Sequence, residues 1–109
     1  MRAWAALSPL VIVLILSTGS ARGDEALAKS KNCMACHALD AKRIGPSFRD
    51  IARRYAGQKY VDTALAERVI NGSKGVWKAE LKAEVVMPPN PRVKPDEATR
   101  IVQWILGQK

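Results

Sequence analysis

Histidine and cysteine are scarce in this chain of 109 residues, which contains one His and two Cys. A structural zinc site normally takes four Cys or His ligands, so the chain alone cannot complete one. The single His also excludes a metal held by two histidines within one chain. No segment reads as a convincing β-strand, so the βαβ unit that accompanies a thioredoxin-like dithiol is missing as well.

Long hydrophobic runs are absent too. The apolar run at residues 10–16 is shorter than the ~20 residues that cross a bilayer comfortably. It follows a basic start and precedes small residues, which is the pattern of a secretory signal peptide. We predict a signal peptide over residues 1–23, cleaved near Gly23 or Ala21, and one mature domain over residues 24–109. No twin-arginine pair is present, which indicates export to the periplasm unfolded, with any cofactor added afterwards.

Acidic residues are outnumbered by basic ones, 10 against 18, and the formal net charge is +8. Such a balance suits nucleic acid, an anionic membrane or an acidic protein partner. Export argues against nucleic acid, and the cations are scattered rather than gathered in one arm. We therefore expect a monomer without nucleic acid or stable membrane insertion, whose protein partners carry acidic docking surfaces.

What the chain does contain is the stretch CMACH at residues 33–37. It could be a dithiol redox site, half of a zinc site, or the attachment point of a covalently bound haem. The absences above disfavour the first two, whereas c-type haem attachment needs only Cys-x-x-Cys-His. Each sulfur adds to one vinyl group, and residues three and four apart share a helical face. We predict one covalent haem c on Cys33 and Cys36, with its iron bound by His37.

One methionine is well placed to be the second axial ligand. Met1 is lost with the signal peptide, and Met34 lies between the two attachment cysteines. Met87 follows at a distance, in a segment that three prolines stiffen, VVMPPNP at residues 85–91. Met87 could also be an ordinary gap-filling core residue. Ligation by His and Met is typical of electron-transfer cytochromes and raises the reduction potential.

Apolar residues recur with helical spacing along the predicted mature chain. They predict helices over residues 24–32, 47–55 and 60–71, and a last helix that starts at Asp96. None of these is long enough to be stable alone, so they need an apolar partner, which a flat haem provides. We predict an all-α fold of four to five short helices packed around one haem, with no sheet.

By these features residues 24–109 resemble a short bacterial class I cytochrome c, a small periplasmic electron carrier with one haem. The resemblance rests on five motifs, which are CMACH, Ile44-Gly45-Pro46, the stretch NGSKGVW at residues 71–77, MPPN at residues 87–90 and WIL at residues 104–106. It implies the class I cytochrome c fold and one-electron transfer between respiratory redox proteins, without enzymatic activity.

The resemblance also implies roles for four further residues. The carbonyl of Pro46 would accept a hydrogen bond from His37 and fix its ring. Asn90 would hydrogen-bond near the sulfur of Met87. Arg68 and Trp77 would bind a haem propionate, which needs a cation or donors when partly buried.

One segment departs from the family. Nine residues, Lys78 to Val86, separate Trp77 from Met87, whereas the family segment is usually shorter. Leu81 and Val85 follow Trp77 at helical spacing, so we expect the insertion to form an extra helical turn.

We expect electrons to leave through an exposed haem edge. The predicted apolar patch comprises Met34, Ala35, Ile44, Val86, Pro88 and Pro89. Cations are predicted to ring it at Lys42, Arg43, Lys74, Lys78, Lys82, Arg92 and Lys94. Two other functions stay open at this point: a haem-bearing subunit of a larger dehydrogenase or oxidase, and an open-haem peroxidase or gas sensor.

Overall fold

The computed structural model describes residues 3–14 and 21–108. Residues 3–14 have no regular secondary structure and are exposed. Residues 15–20 lie outside the described residues, and with them the end of the predicted signal peptide's apolar run. Among the described residues, no helix combines the length and the apolar character needed to cross a membrane.

Five α-helices and one small β-ladder follow in chain order. The helices are α1 (Ala21–Ser30), α2 (Phe48–Arg54), α3 (Val61–Asn71), α4 (Lys78–Leu81) and α5 (Pro95–Leu106). A single 3₁₀ turn at Cys33–Ala35 follows α1. The strands β1 (Ser73–Lys74) and β2 (Val86–Met87) pair antiparallel, with Ser73 opposite Met87. The helical prediction is therefore confirmed, while the prediction of no sheet is wrong by this one short ladder.

Local chemistry explains where the helices begin and end. The Ser47 hydroxyl caps α2 by accepting a hydrogen bond from the Asp50 N–H at 3.1 Å. The backbone turns left-handed at Asn32 and at Tyr60, just before the 3₁₀ turn and α3. Helix α1 starts at Ala21, ahead of the predicted start at Asp24. The predicted helical turn of the insertion is present as α4.

Helix α5 is the centre of the core and packs against α1, α2 and α3. Its buried face carries Ala98, Ile101, Val102 and Ile105, as the helical spacing predicts. Trp104, also buried, meets the ring of Phe48 edge to face at 5.2 Å between centroids. Such aromatic contacts add to the stabilisation that burial alone provides. The core thus forms a scaffold from which α2, α3 and the loops beside them reach a shared cavity.

Candidate haem-binding site

One apolar cavity of about 340 Å³ lies between the helices and the loops. All eight residues that sequence analysis assigned to the haem line this cavity, although they are spread over more than fifty positions of the chain. They are Cys33, Cys36, His37, Pro46, Arg68, Trp77, Met87 and Asn90. The tertiary structure therefore brings together two thiols, an imidazole, a thioether, a cation and two donor-bearing side chains on otherwise apolar walls.

The two cysteines are presented by the 3₁₀ turn. The His37 N–H donates to the Cys33 carbonyl at 3.1 Å, which closes the turn and places the histidine directly after the second thiol. Both thiols are free and half-buried. Burial raises the pKa of the Cys33 thiol, and the neighbouring Cys36 adds to the effect. No disulfide competes for these sulfurs, so both are available for thioether bonds.

His37 is held in one tautomer and one orientation. Its Nδ1 lies 2.7 Å from the Pro46 carbonyl oxygen, and because a carbonyl can only accept, Nδ1 carries the proton. Nε2 is thereby left with the lone pair that a metal requires. The ring also stacks on Phe48, at 5.2 Å between centroids and 20° between planes. Burial lowers the pKa of His37, against the opposing effect of the Pro46 carbonyl, so the ring is neutral at pH 7.

Gly45 is a site residue for which sequence analysis assigned no role beyond its place in a motif. A Cβ at this position would lie 2.5 Å from Cε1 of His37 and 2.9 Å from Nδ1. Real Cβ atoms do not approach other atoms that closely, so only glycine leaves room for the imidazole beside Pro46. The motif Ile44-Gly45-Pro46 thus serves the histidine twice, through an absent side chain and through a carbonyl.

Met87 is placed by contacts with α3 and the loop after it. Strand pairing sets Met87 opposite Ser73. Gly72, with φ 79° and ψ 175°, has a conformation that is essentially restricted to glycine. A Cβ there would lie 2.5 Å from the Met87 carbonyl oxygen and 2.9 Å from the Pro89 nitrogen. Sequence analysis treated Gly72 only as the end of a helix, since a contact with a segment fifteen positions later leaves no local signal.

Asn90 fastens the end of the methionine segment to α3. Its backbone N–H donates to Ile70 at 3.0 Å, and its side-chain amide donates to the Val69 carbonyl at 2.8 Å and to the Pro88 carbonyl at 3.3 Å. Within the described residues, the amide makes no hydrogen bond to the sulfur of Met87. Asn90 therefore holds the Met87 segment through main-chain carbonyls, and the predicted bond to sulfur stays a prediction.

Arg68 and Trp77 lie together near the aromatic ring of Tyr55. Nη1 of Arg68 donates to the Tyr55 hydroxyl at 2.9 Å. The Trp77 ring meets the Tyr55 ring edge to face at 6.4 Å between centroids. In the part of the chain that the structure describes, the Trp77 indole N–H has no hydrogen-bond partner. Both side chains line the cavity, so they offer donors to an anionic group inside it. Tyr55 is an addition to the predicted site, because its spacing indicated only a core position.

The inserted segment forms part of the cavity wall. Leu81, Val85 and Val86 line the cavity together with Trp77. Lys82, in a left-handed conformation, ends α4 and turns the chain back towards β2. The insertion therefore keeps Trp77 at the cavity and adds apolar surface beside it.

These residues fit the predicted cofactor. A c-type haem requires two thiols, a neutral imidazole, an apolar enclosure for the macrocycle and polar partners for its carboxylates. Each of these is present on the wall of one cavity.

Comparison with known proteins agrees with this geometry. The cytochrome c family model matches residues 20–109. The chain belongs to the cytochrome c family. This cytochrome is 43% identical over 110 residues to cytochrome c-551 of Pseudomonas aeruginosa, with all of both chains covered. It is 41% identical to cytochrome c-552 of Hydrogenobacter thermophilus, over 92% of this chain and 96% of that protein.

A solved structure shows the same fold. The crystal structure of Nitrosomonas europaea cytochrome c552 superposes with a TM-score of 0.71 at 40% identity, covering 78% of this chain and 99% of that one. The class I cytochrome c fold, the single covalent c-type haem and the function of electron carrier are thereby confirmed.

Proposed function

We propose that this cytochrome binds its haem through thioethers at Cys33 and Cys36, and that His37 and Met87 are the two axial ligands. The observation that supports this most strongly is the convergence of these four residues on one apolar cavity. Bound there, a c-type haem supplies a metal that accepts and releases one electron. The protein residues supply everything that keeps this exchange free of ligand change.

Rigid placement of the two ligands is the main contribution of the chain. The Pro46 carbonyl and the Phe48 ring hold His37, while Ser73, Gly72 and Asn90 hold the Met87 segment. A coordination sphere closed on both sides leaves no position for a substrate, so we propose that the protein is not an enzyme. Apolar walls exclude water and keep the environment of the two oxidation states alike.

Arg68 and Trp77 are proposed to bind a haem propionate. A partly buried carboxylate needs a cation or hydrogen-bond donors, and these two side chains offer both at the cavity. Tyr55 accepts one N–H of Arg68 and so restricts the guanidinium to one arrangement. The remaining donors are free to meet an anion.

Partner docking is proposed at the rim of the cavity. Ile44 and Val86 line it and yet are 59% and 54% exposed, so their outer faces form an apolar patch together with Pro88 and Pro89. Among the described residues, six of the predicted cations form no ion pair with an acidic side chain, whereas Lys74 pairs with Glu84 at 3.6 Å. The six are Lys42, Arg43, Lys78, Lys82, Arg92 and Lys94. This distribution suits acidic redox partners, whose association should weaken as salt increases.

Residues 1–23 are proposed to be a cleaved signal peptide that directs the cytochrome to the periplasm, where it passes electrons between respiratory redox proteins. The basic start, the short apolar run and the small residues that follow support this proposal. The mass of the exported protein tests it, since the expected value is that of residues 24–109 plus one haem.

A matched pair of methionine variants tests the ligand assignment. Met87→Leu conserves volume but removes the thioether, so the sulfur-to-iron absorption band of the oxidised protein should disappear and the reduction potential should fall. Met34→Leu is the control, because Met34 is half-buried and packs on the core without lining the cavity. It should leave band and potential unchanged. An unaltered spectrum in Met87→Leu would refute the assignment.

A further inference from the structure

Arg54, the last residue of α2, does not line the cavity, yet it contacts three consecutive parts of the chain beside it. Its guanidinium carbon lies 4.3 Å from the centroid of the Trp77 ring. Its Nη1 donates to the Val76 carbonyl at 3.1 Å and lies 3.7 Å from a carboxylate oxygen of Glu80. One side chain thus joins α2 to the residue before Trp77, to the indole itself and to the inserted segment.

The inserted segment depends on such contacts. Helix α4 has four residues, none of them buried, and a helix this short is not stable in isolation. Among the described residues, the ion pairs of the insertion with the rest of the protein are Glu80 with Arg54 and Glu84 with Lys74. Arg54 is the partner that also contacts the aromatic ring at the cavity.

Adjacent residues of α2 therefore serve the two proposed propionate donors separately. Tyr55 accepts a hydrogen bond from Arg68 at 2.9 Å, and Arg54 lies over the ring of Trp77. A planar guanidinium can cover an indole and still donate to a carbonyl and a carboxylate at its edge. A lysine ammonium keeps the charge but lacks this planar fork.

We infer that Arg54 is a positioning residue, which holds the indole N–H of Trp77 at the cavity and keeps the inserted segment closed beside it. The inference rests on the proposed propionate role of Trp77, and it assigns to the insertion a function that the shorter family segment does not need. Arg54 acts through Trp77 and α4, without contact with the cofactor cavity.

Exchange of the Trp77 indole proton in the reduced haem protein tests this directly. Trp77→Phe identifies the resonance. Arg54→Ala should accelerate its exchange with deuterium roughly tenfold, because the ring loses the cation that covers it. Arg54→Lys should give a smaller acceleration, and Glu80→Gln should accelerate exchange while Arg54 is still present. Unchanged exchange in Arg54→Ala would overturn the inference.

Arg53→Ala is the matched control. Arg53 is the preceding residue of the same helix, is exposed, and forms an ion pair with Asp50 at 2.9 Å. Its loss removes the same charge without touching Trp77, so exchange should not change, and the reduction potential should shift less than in Arg54→Ala. Equal shifts in the two variants would mean that Arg54 acts by charge alone, which would also overturn the inference.

The propionate role is judged by a separate result. If Trp77→Phe leaves the reduction potential unchanged, that role fails for Trp77. The exchange data in Arg54→Ala then still decide whether Arg54 positions the indole.

Discussion

The histidine side of the cavity, residues 33–48, and the methionine side, residues 69–90, hold their ligands in different ways. On the histidine side, every contact to His37 comes from within eleven positions of it, namely Cys33, Gly45, Pro46 and Phe48. On the methionine side, Met87 is placed by Gly72 and Ser73, and Asn90 reaches back to Val69.

This difference has a structural consequence. A ligand held by neighbours in sequence needs only a few local turns, whereas a ligand held by remote contacts needs α3 already packed on α5. Closing the longer loop costs more chain entropy. We therefore expect the methionine side to loosen first when the protein is perturbed, and the histidine side to retain its geometry.

The largest effect is expected from Gly72→Ala. The new methyl group would adopt a conformation that is essentially restricted to glycine and would meet the Met87 carbonyl at 2.5 Å, both of which are costly. We expect a loss of about 3 kcal/mol or more in the free energy of unfolding, with loss of the sulfur-to-iron band. Denaturant unfolding and the oxidised spectrum measure both.

Gly57→Ala is the control for Gly72. Its φ is +74°, but a Cβ there would have no atom within 4 Å. Only the backbone penalty of about 1–2 kcal/mol should remain, with the spectrum unaltered. If both variants behaved alike, the contact with Met87 would carry no weight.

The next effect is expected from Gly45→Ala, which breaks the histidine side. A Cβ 2.5 Å from Cε1 of His37 must displace an imidazole already held by Pro46 and Phe48. Overpacking of this kind costs about 1–3 kcal/mol, and the reduction potential should change because the iron–nitrogen bond is distorted. Gly107→Ala, whose new atom would meet its nearest neighbour at 3.4 Å, should change neither quantity appreciably. A native potential in Gly45→Ala would contradict the proposed crowding.

A smaller effect is expected from Asn90→Ala, which leaves the Val69 carbonyl without its side-chain donor. The backbone bond from residue 90 to Ile70 survives, so the cost should be about 1–2 kcal/mol. The sulfur-to-iron band should be lost at a lower temperature than in the native protein, while the histidine side stays intact. Asn71→Ala changes an exposed amide of the same type and should leave that temperature where it was.

The smallest effect is expected far from both ligands, at Glu97. The backbone N–H of Lys94 lies 3.0 Å from its carboxylate and, together with Lys31, lowers the pKa of Glu97. A lowered folded-state pKa means that this stabilisation is present above the ordinary carboxyl range and is lost as the pH falls through the folded value.

Thermal unfolding of Glu97→Gln should therefore show a small deficit at pH 7 that disappears in strong acid. Asp96→Asn, which removes a neighbouring carboxylate with no ion pair among the described residues, should show a weaker pH dependence. A deficit in Glu97→Gln that stayed constant with pH would mean that the charge contributes nothing.

Much of the site was accessible from sequence because the chemistry is local. The spacing of Cys33, Cys36 and His37 indicates haem attachment by itself, and the elimination of Met1 and Met34 leaves Met87. The two glycines and Arg54 could not be found in this way. Their roles depend on which atom lies within 3 to 4 Å in three dimensions, and helical periodicity contains no such information. The ladder between β1 and β2 was missed for the same reason, since two-residue strands have no pattern of their own.

The sequence by itself determined the cofactor, the helical class and the identity of the ligands, because covalent attachment and side-chain chemistry depend on residue type and short spacing. Only the tertiary structure decided how Met87 is held, how Asn90 fastens its segment to α3, and how Arg54 joins Trp77 to the insertion. These are contacts between segments that are remote in sequence, and packing on α5 creates them.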